Sequence, residues 1–191
     1  MDTRLIAWAR AVKARRRLPL PTLWLFTDER RLPDPLPAVA RLPPGLAGVV
    51  FRHDEAAGRA ALGRALARLC RARRLVLVVA GDVRLAANLH AGLHHRRGRR
   101  TVPWPRRGVL TASAHDRAEL ARAARAGADI VFLGPAFATA SHPGQRPLGP
   151  VRWNLLARRA SIPVAALGGV TGKSIRALPR AAAAAAIGAL A

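Results

Sequence analysis

The sequence predicts an α/β fold, a compact (β/α)8 TIM barrel, from three observations. Eight short apolar runs recur along the 191 residues, and helical segments separate most of them. The runs are apolar throughout instead of alternating, which is typical of parallel strands that are buried on both faces. No GxGxxG turn follows the first run, and this disfavours the open doubly wound sheet that is the nearest alternative. Eight such units close into a barrel, although roughly 250 residues is the usual size.

The first half of the chain supplies four strands and a basic N-terminal segment, residues 1–20. A helix over about 3–17 ends in ARRR, and basic residues suit a helix C-terminus. Prolines make the segment 31–45 a poor helix, because each one removes a donor and clashes with the preceding turn. The helix after strand one is therefore expected to be vestigial. The remaining elements are strands at 23–28, 47–52, 75–80 and 92–95 and helices at 54–74 and 82–91.

The second half continues the alternation and ends on a strand. Strands are predicted at 108–113, 128–133, 162–169 and in the final AAIGAL (185–190), with helices at 115–127 and 150–161. No helix follows strand eight in this sequence. The apolar flank of that strand would be left uncovered, and a second copy of the chain could cover it, so a homo-oligomer is one expectation.

Length and composition indicate one barrel domain over residues 1–191. The longest strictly apolar or glycine run, 181–191, is about half of what a membrane-spanning helix needs. The N-terminus lacks the features of a secretory signal, so a cytoplasmic location is expected, with no membrane partner. Cys70 is the only cysteine, and a buried apolar role for it is favoured over a nucleophilic one.

The charge is the unusual bulk property. The formal net charge is +23, and arginine carries nearly all of it, since Lys13 and Lys173 are the only lysines. Such a charge suggests anionic partners. Arginine and alanine are frequent everywhere, which favours a chain-wide residue bias over a selected patch. Aromatic residues make up only 4% of the chain and do not alternate with basic ones, so nucleic acid is predicted to be an unlikely partner.

Candidate functional residues are those just past each strand, because all carboxyl ends of barrel strands share one face. After strand six comes GPAFATASHPGQRPLG (134–149), a loop rich in glycine, proline and hydroxyl residues. Gly168 and Gly169 follow strand seven and Gly188 belongs to strand eight's end, where barrels commonly bind phosphate. A lone GG is more often simply a turn. With one cysteine and no clustered carboxylates, zinc has little support, and Asp82 could simply cap a helix.

Motifs over nearly the whole chain resemble the thiamine-phosphate synthase family and its TenI-type thiazole tautomerase relatives. The most specific is GPxFxTxSxPG, then PLG, then IPVxALGG. The resemblance implies a (β/α)8 barrel and a transferase that couples hydroxymethylpyrimidine diphosphate to thiazole phosphate and releases pyrophosphate. Mg²⁺ is the cofactor that it implies.

The resemblance also implies site residues. Arg52 matches an arginine that meets the diphosphate, and Ser113 matches a serine near the pyrophosphate. His142 departs from the family pattern, which has a lysine there; we expect it to supply positive charge, and as a histidine it could donate a proton to the departing pyrophosphate. Thr139 and Ser141 match phosphate-binding loop positions, and Gly168, Gly169 and Gly188 match the thiazole-phosphate cradle.

The chain departs from the family pattern at the metal ligands. Ala80 and Gly81 stand where the pattern has an asparagine and a magnesium-binding aspartate, with Asp82 one place later. The second magnesium aspartate falls near Arg99, and the tautomerase histidine falls at Pro135. Two hypotheses follow: arginines of 96–100 neutralise the diphosphate in an active synthase, or the chain is a non-catalytic relative that still binds a phosphorylated thiazole or pyrimidine. An arginine-rich nucleic-acid-binding protein is the third alternative.

Overall fold

The computed structural model describes residues 1–17, 19–96, 108–139 and 144–191. Its strands are β1 (Leu23–Phe26), β2 (Ala47–Phe51), β3 (Val76–Ala80), β4 (Gly92–His95), β5 (Leu110–Ala114), β6 (Ile130–Leu133), β7 (Val164–Leu167) and β8 (Ala183–Ala186). All pair in parallel in chain order, and β8 returns to β1, so the sheet is a closed barrel as predicted.

Helices connect most of the strands and run back along the outside of the barrel. They are α1 (Thr3–Arg16), α2 (Leu36–Arg41), α3 (Arg59–Ala72), α4 (Val83–Asn88), α5 (Arg117–Arg125) and α6 (Gly149–Arg158), with a 3₁₀ turn at Ser174–Ala177. The predicted vestigial helix is α2, which has six residues. Within the described ranges, no helix has the length and apolar character to cross a bilayer.

Side chains that point into the barrel form their own small core. The rings of Trp24 and Phe132 meet edge to face at 5.4 Å. Gly48 lies against the Trp24 indole, and a Cβ there would approach its ring to 2.5 Å. Small residues such as Ala183 and Ala185 complete the inner layer. Large rings on some strands are thus matched by glycine and alanine on others, as close packing requires.

The N-terminal helix α1 packs along β8, where the sequence left a flank without a helix. Leu5, Ala9 and Val12 form its buried face, and the Thr22 hydroxyl donates to the Ala9 carbonyl at 2.8 Å. Asp2 N–H donates to the Ala189 carbonyl at 2.8 Å, which ties the start of α1 to the carboxyl end of β8. Part of the flank is covered in this way, and homo-oligomerisation remains a prediction.

Two predicted elements differ clearly from the structure: the helix predicted at 54–74 is α3, Arg59–Ala72, and the last strand is shifted. The sequence indicated 185–190, whereas β8 spans Ala183–Ala186 because Ala183 to Ala185 pair with β7 and Ala184 to Ala186 pair with β1. Leu190 N–H instead closes a turn onto the Ile187 carbonyl. Gly188 therefore lies just beyond the strand, at the carboxyl face.

Candidate functional site

A cavity of about 1100 Å³ opens at the carboxyl end of the barrel. The segments that follow six strands line it, those after β1, β2, β5, β6, β7 and β8, together with the chain's first two residues. This is the face at which TIM barrels carry their binding and catalytic residues. Segments distant in sequence thus meet at one concave surface.

Arg52 enters this cavity directly after β2. Its guanidinium carbon lies 5.9 Å from the centroid of the Phe26 ring, a cation–π distance, and both residues line the cavity. The Arg52 backbone N–H donates to the Thr27 hydroxyl oxygen at 3.0 Å. The backbone of this arginine is therefore anchored to the end of β1, and its charged group lies above the barrel interior.

A buried threonine and a buried histidine hold this part of the rim together. Thr27 Oγ1 lies 3.0 Å from His53 Nδ1, and His53 Nε2 lies 3.1 Å from the Leu32 carbonyl oxygen. Because a carbonyl can only accept, Nε2 carries a proton and donates to it, while Nδ1 is hydrogen-bonded to the Thr27 hydroxyl. The ring thereby connects the loop after β1 to the end of β2. The network positions Arg52 without contacting the cavity itself.

Below Arg52, the barrel interior is closed by a layer of rings. Phe26, His94 and Phe132 pack against one another with centroid separations of 4.8 to 5.7 Å. His94 Nδ1 is hydrogen-bonded to Thr111 Oγ1 at 2.8 Å. Burial, with smaller contributions from Arg52 and His95, lowers the pKa of His94 to about 3. His94 is therefore neutral near pH 7 and serves as a packed floor.

The opposite side of the cavity is built from glycines. Gly168 and Gly169 have φ angles of +89° and +63°, a region that favours glycine. A Cβ on Gly168 would lie 2.9 Å from Pro135 Cα, and one on Gly169 would collide with the Ala138 carbonyl oxygen. The Phe137 N–H donates to the Gly168 carbonyl at 3.0 Å. These glycines allow the loop after β6 to rest on the end of β7.

Five of the eight residues predicted for the site line the cavity. They are Arg52, Thr139, Gly168, Gly169 and Gly188. Ser113 is half-buried near the end of β5, and by strand alternation it shares the inward face of Thr111. Ser141 and His142 lie outside the described residues, as do the arginines of 97–100.

The cavity also includes residues that the sequence did not single out for the site. Arg30 and Arg31 follow β1, and Thr171 follows the paired glycines. Two arginines in a proline-rich loop form no motif, so only their position just past a strand could have indicated them. His115 lines the cavity as well, and its backbone N–H donates to Glu119 Oε2 at 2.8 Å at the start of α5.

The acids that follow β2 and β3, Asp54 and Asp82, form ion pairs with arginines. Asp82 accepts from Leu85 N–H at 2.9 Å as the cap of α4, and its other oxygen lies 3.3 Å from Arg59 Nη1. Asp54 forms ion pairs with Arg59, at 3.2 Å, and with Arg96. Across the described ranges no three His, Cys, Asp or Glu side chains are grouped as a metal site would require. Asp82 is thus engaged as a helix cap and an ion-pair partner.

Comparisons with known proteins agree with one another. The family model described as "Thiamine monophosphate synthase" matches residues 25–190. A thiamine-phosphate synthase of Chlorobium luteolum is 32% identical over 162 residues, which cover 79% of this chain and 75% of that protein. The thiamine-phosphate synthase of Geobacillus kaustophilus is 35% identical over 124 residues, 61% of this chain. That match spans only 56% of the Geobacillus protein, a little over half of its length.

Solved structures support the fold. A thiamine phosphate pyrophosphorylase from Pyrococcus furiosus superposes with a TM-score of 0.73 at 24% identity, and the match covers 87% of this chain and 85% of that one. At this identity the likeness establishes the barrel architecture and no more.

Proposed function

This chain belongs to the thiamine monophosphate synthase family, and on that premise we propose that its cavity joins hydroxymethylpyrimidine diphosphate to thiazole phosphate. The bond between the pyrimidine methylene carbon and the diphosphate oxygen breaks, and pyrophosphate leaves with the bonding electrons. The thiazole nitrogen then supplies an electron pair to the same carbon. Such a reaction depends on stabilising a departing polyanion and on holding two rings in contact away from water.

The observation that carries this proposal is that Arg52 and the three glycines Gly168, Gly169 and Gly188 line one cavity. A guanidinium is a fork of donors suited to phosphate oxygens, and glycine backbone lets phosphate approach the main chain closely. The volume of about 1100 Å³ exceeds the roughly 300–1,000 Å³ of most single-ligand pockets. Two substrates bound side by side would use such a space.

Each residue has a proposed role. Arg52 binds the diphosphate and stabilises the leaving pyrophosphate, while Ser113 and Thr139 donate hydroxyl hydrogen bonds to phosphate oxygens. Ser141 and His142 keep the roles that the sequence suggests, phosphate binding and proton donation. The backbone at Gly168, Gly169 and Gly188 receives the thiazole phosphate. Phosphorylated small molecules are thus the proposed partners, and a cytoplasmic location suits them.

The family is generally Mg²⁺-dependent, but the two acids paired with Arg59 near the ends of β2 and β3 do not fit a magnesium site. Asp82 is the nearest candidate, and both of its oxygens are engaged, one by the Leu85 N–H and one by Arg59. Asp54 is paired with two guanidinium groups. Cationic side chains thus take the carboxylate contacts that a hard cation would need. We propose that arginine, with Arg52 foremost, supplies the charge that stabilises the diphosphate.

A direct assay tests the activity. Purified protein is incubated with both substrates, with and without EDTA, and thiamine phosphate is quantified by chromatography. The proposal requires product in both conditions. Product only without EDTA would reject the replacement of magnesium by arginine, and absence of product from both conditions would reject the activity itself.

A second measurement isolates Arg52. Replacement by alanine should weaken pyrophosphate binding by roughly 10- to 100-fold in calorimetry, because a charge-assisted hydrogen bond contributes about 1.5–3 kcal/mol. Arg84→Ala, an exposed arginine on α4 outside the cavity, is the matched control and should bind as the wild type does. Unchanged affinity in the Arg52 variant would remove that assignment.

The engaged acids favour one alternative, a non-catalytic relative that binds a phosphorylated thiazole or pyrimidine. In that case calorimetry detects binding of thiazole phosphate or pyrophosphate while the assay yields no product. An absence of binding to either compound would reject both functions.

A further inference from the structure

The barrel separates the charges of this chain between its two ends. Nine of the ten acidic residues lie at the carboxyl end, in the loops after strands or at helix starts, and Asp129 is the exception. Asp129 precedes β6, and its Oδ2 accepts from the Leu110 N–H at 2.7 Å. The five ion pairs among the described residues all involve acids of the carboxyl end.

The amino-terminal end carries arginine instead. Helices run antiparallel to the strands, so their last turns and the turns that precede the strands share this end. Eleven arginines occupy these positions, and we call them the basic face: Arg15, Arg16, Arg17, Arg41, Arg71, Arg73, Arg74, Arg125, Arg158, Arg159 and Arg180. Ten of the eleven side chains are exposed, and only Arg73 is half-buried.

Contacts between neighbouring turns join parts of the basic face. Arg16 Nη2 lies 3.3 Å from the Arg180 carbonyl oxygen, which joins the end of α1 to the turn before β8. Arg73 Nη2 donates to the Leu42 carbonyl at 3.1 Å, and this joins the turns before β2 and β3. Burial, together with the charges of Arg15 and Arg180, lowers the pKa of Arg16. The guanidinium groups of Arg15 and Arg180 are thus close enough to repel that of Arg16.

Compensation of helix dipoles explains only part of this charge. A helix C-terminus carries about half a negative charge, so the five helices that end among these arginines offset roughly two to three of eleven positive charges. Two of the arginines are also placed at a conformational cost. Arg17 and Arg74 have φ angles of 50° and 54° at helix ends, where glycine is favoured and another residue costs about 1 kcal/mol or more.

We infer that the basic face binds the phosphate backbone of double-stranded nucleic acid. Guanidinium groups pair with phosphate oxygens through two parallel hydrogen bonds, and phosphate contacts need no base-reading side chain. The shortage of aromatic residues that argued against nucleic acid concerns single strands, whose bases stack on rings. A duplex is held by its phosphates and does not require stacking.

The exposed side chains favour a duplex over an anionic membrane. Proteins that bind membranes at the interface insert large apolar residues below the headgroups. Within the described part of the chain, the exposed large apolar side chains are Met1, Val151 and Leu155, and none belongs to the basic face. A surface of exposed guanidinium groups without apolar anchors suits the phosphates along a duplex better than a membrane surface.

The experiment measures binding of the full chain to a fluorescein-labelled 30-base-pair DNA duplex by anisotropy, at NaCl concentrations from 50 to 200 mM. If about five arginines contact phosphates at once, a plot of log K against log [NaCl] has a slope of about −4.5, and the affinity falls about 500-fold over this range. A sodium polyglutamate of equal charge and phosphatidylserine vesicles are the competitors.

Two sets of variants locate the contact. R15Q/R16Q/R17Q/R180Q removes four charges from the basic face, and R64Q/R68Q/R84Q/R152Q removes four exposed charges from α3, α4 and α6 outside it. The first should make the salt slope shallower by about 2–4, since each lost phosphate contact removes about 1, and the second by less than 1. R41Q/R125Q/R158Q/R159Q tests the other half of the basic face if circular dichroism shows the first variant unfolded.

The outcomes are distinct. Tighter binding to the duplex than to polyglutamate or vesicles, lost selectively in the basic-face variants, supports the inference. Equal losses in both variant sets would mean that net charge alone drives binding, and this overturns it. Stronger competition by vesicles or polyglutamate, or no measurable binding at 50 mM NaCl, overturns it as well. Pyrophosphate binding in the cavity should be the same in all variants, so this test is independent of the proposed enzyme activity.

Discussion

Thr27 offers the sharpest test of how the barrel positions its cavity residues. Its hydroxyl oxygen accepts from the Arg52 N–H at 3.0 Å and is hydrogen-bonded to His53 Nδ1 at the same distance, and its side chain is fully buried. Thr27→Val keeps the shape of the side chain and removes both interactions. The part-buried Arg52 N–H and the buried His53 Nδ1 then lose their partner.

The size of the effect follows from those two groups. Each unsatisfied buried group costs about 1–3 kcal/mol. Because the Arg52 N–H bond is only part-buried, we expect Thr27→Val to lower the free energy of unfolding by about 2–4 kcal/mol. For a chain of this size, about 2–4 °C of Tm is lost per kcal/mol, which predicts a fall of roughly 4–16 °C. Because Arg52 loses its anchor, pyrophosphate affinity should also fall, by about 10-fold.

Thr22 provides the matched control at the other end of β1. Its hydroxyl is equally buried and donates one hydrogen bond, to the Ala9 carbonyl at 2.8 Å. Thr22→Val should cost about 1 kcal/mol and leave pyrophosphate affinity unchanged. Urea denaturation and calorimetry measure the two quantities. A Thr27→Val protein as stable as the wild type, or an equal loss of affinity in both variants, would refute the positioning role of the network.

Three further predictions concern single residues. Gly169→Ala should destabilise the fold by more than about 1 kcal/mol in urea denaturation, because its Cβ would collide with a carbonyl oxygen; Gly45→Ala, with a similar φ of +70° and open space, should cost less, and equal costs would contradict the argument. Because the pKa of His94 is lowered to about 3, the unfolded chain binds more protons than the folded chain between about pH 6.5 and 3. The free energy of unfolding therefore falls by up to about 1.4 kcal/mol per pH unit as the pH drops through this window. His94→Gln should reduce this dependence of the free energy of unfolding on pH. Burial raises the pKa of the Cys70 thiol to about 12, so Ellman's reagent should react with it only after denaturation, and rapid labelling of the native protein would contradict its burial.

The barrel itself could be predicted from the sequence, because its signal is local. Strands such as Ile130–Leu133 are short apolar runs, and amphipathic helices such as α3 and α5 have their apolar residues at helical spacing. Eight such units in parallel leave few ways to bury both faces of the sheet. Gly168 and Gly169 could likewise be placed at the carboxyl end, because they directly follow a predicted strand. The ends of β8 could not be predicted, because all six residues from 181 to 186 are alanine and no residue marks where the strand begins. Only the pairing with β7 and β1 determines the limits of the strand.

Other features depended on contacts between residues far apart in the chain. The Thr27–His53–Arg52 network joins two loops 25 residues apart, and neither a lone threonine nor a lone histidine carries a motif. The pairing of Asp82 with Arg59 turns a candidate metal ligand into an ion-pair partner. The division of acids and arginines between the two ends of the barrel is likewise invisible in a net charge of +23. Sequence by itself determined the type and order of the elements, since these follow from local periodicity; tertiary structure decided which side chains meet, because such contacts arise only when the barrel closes.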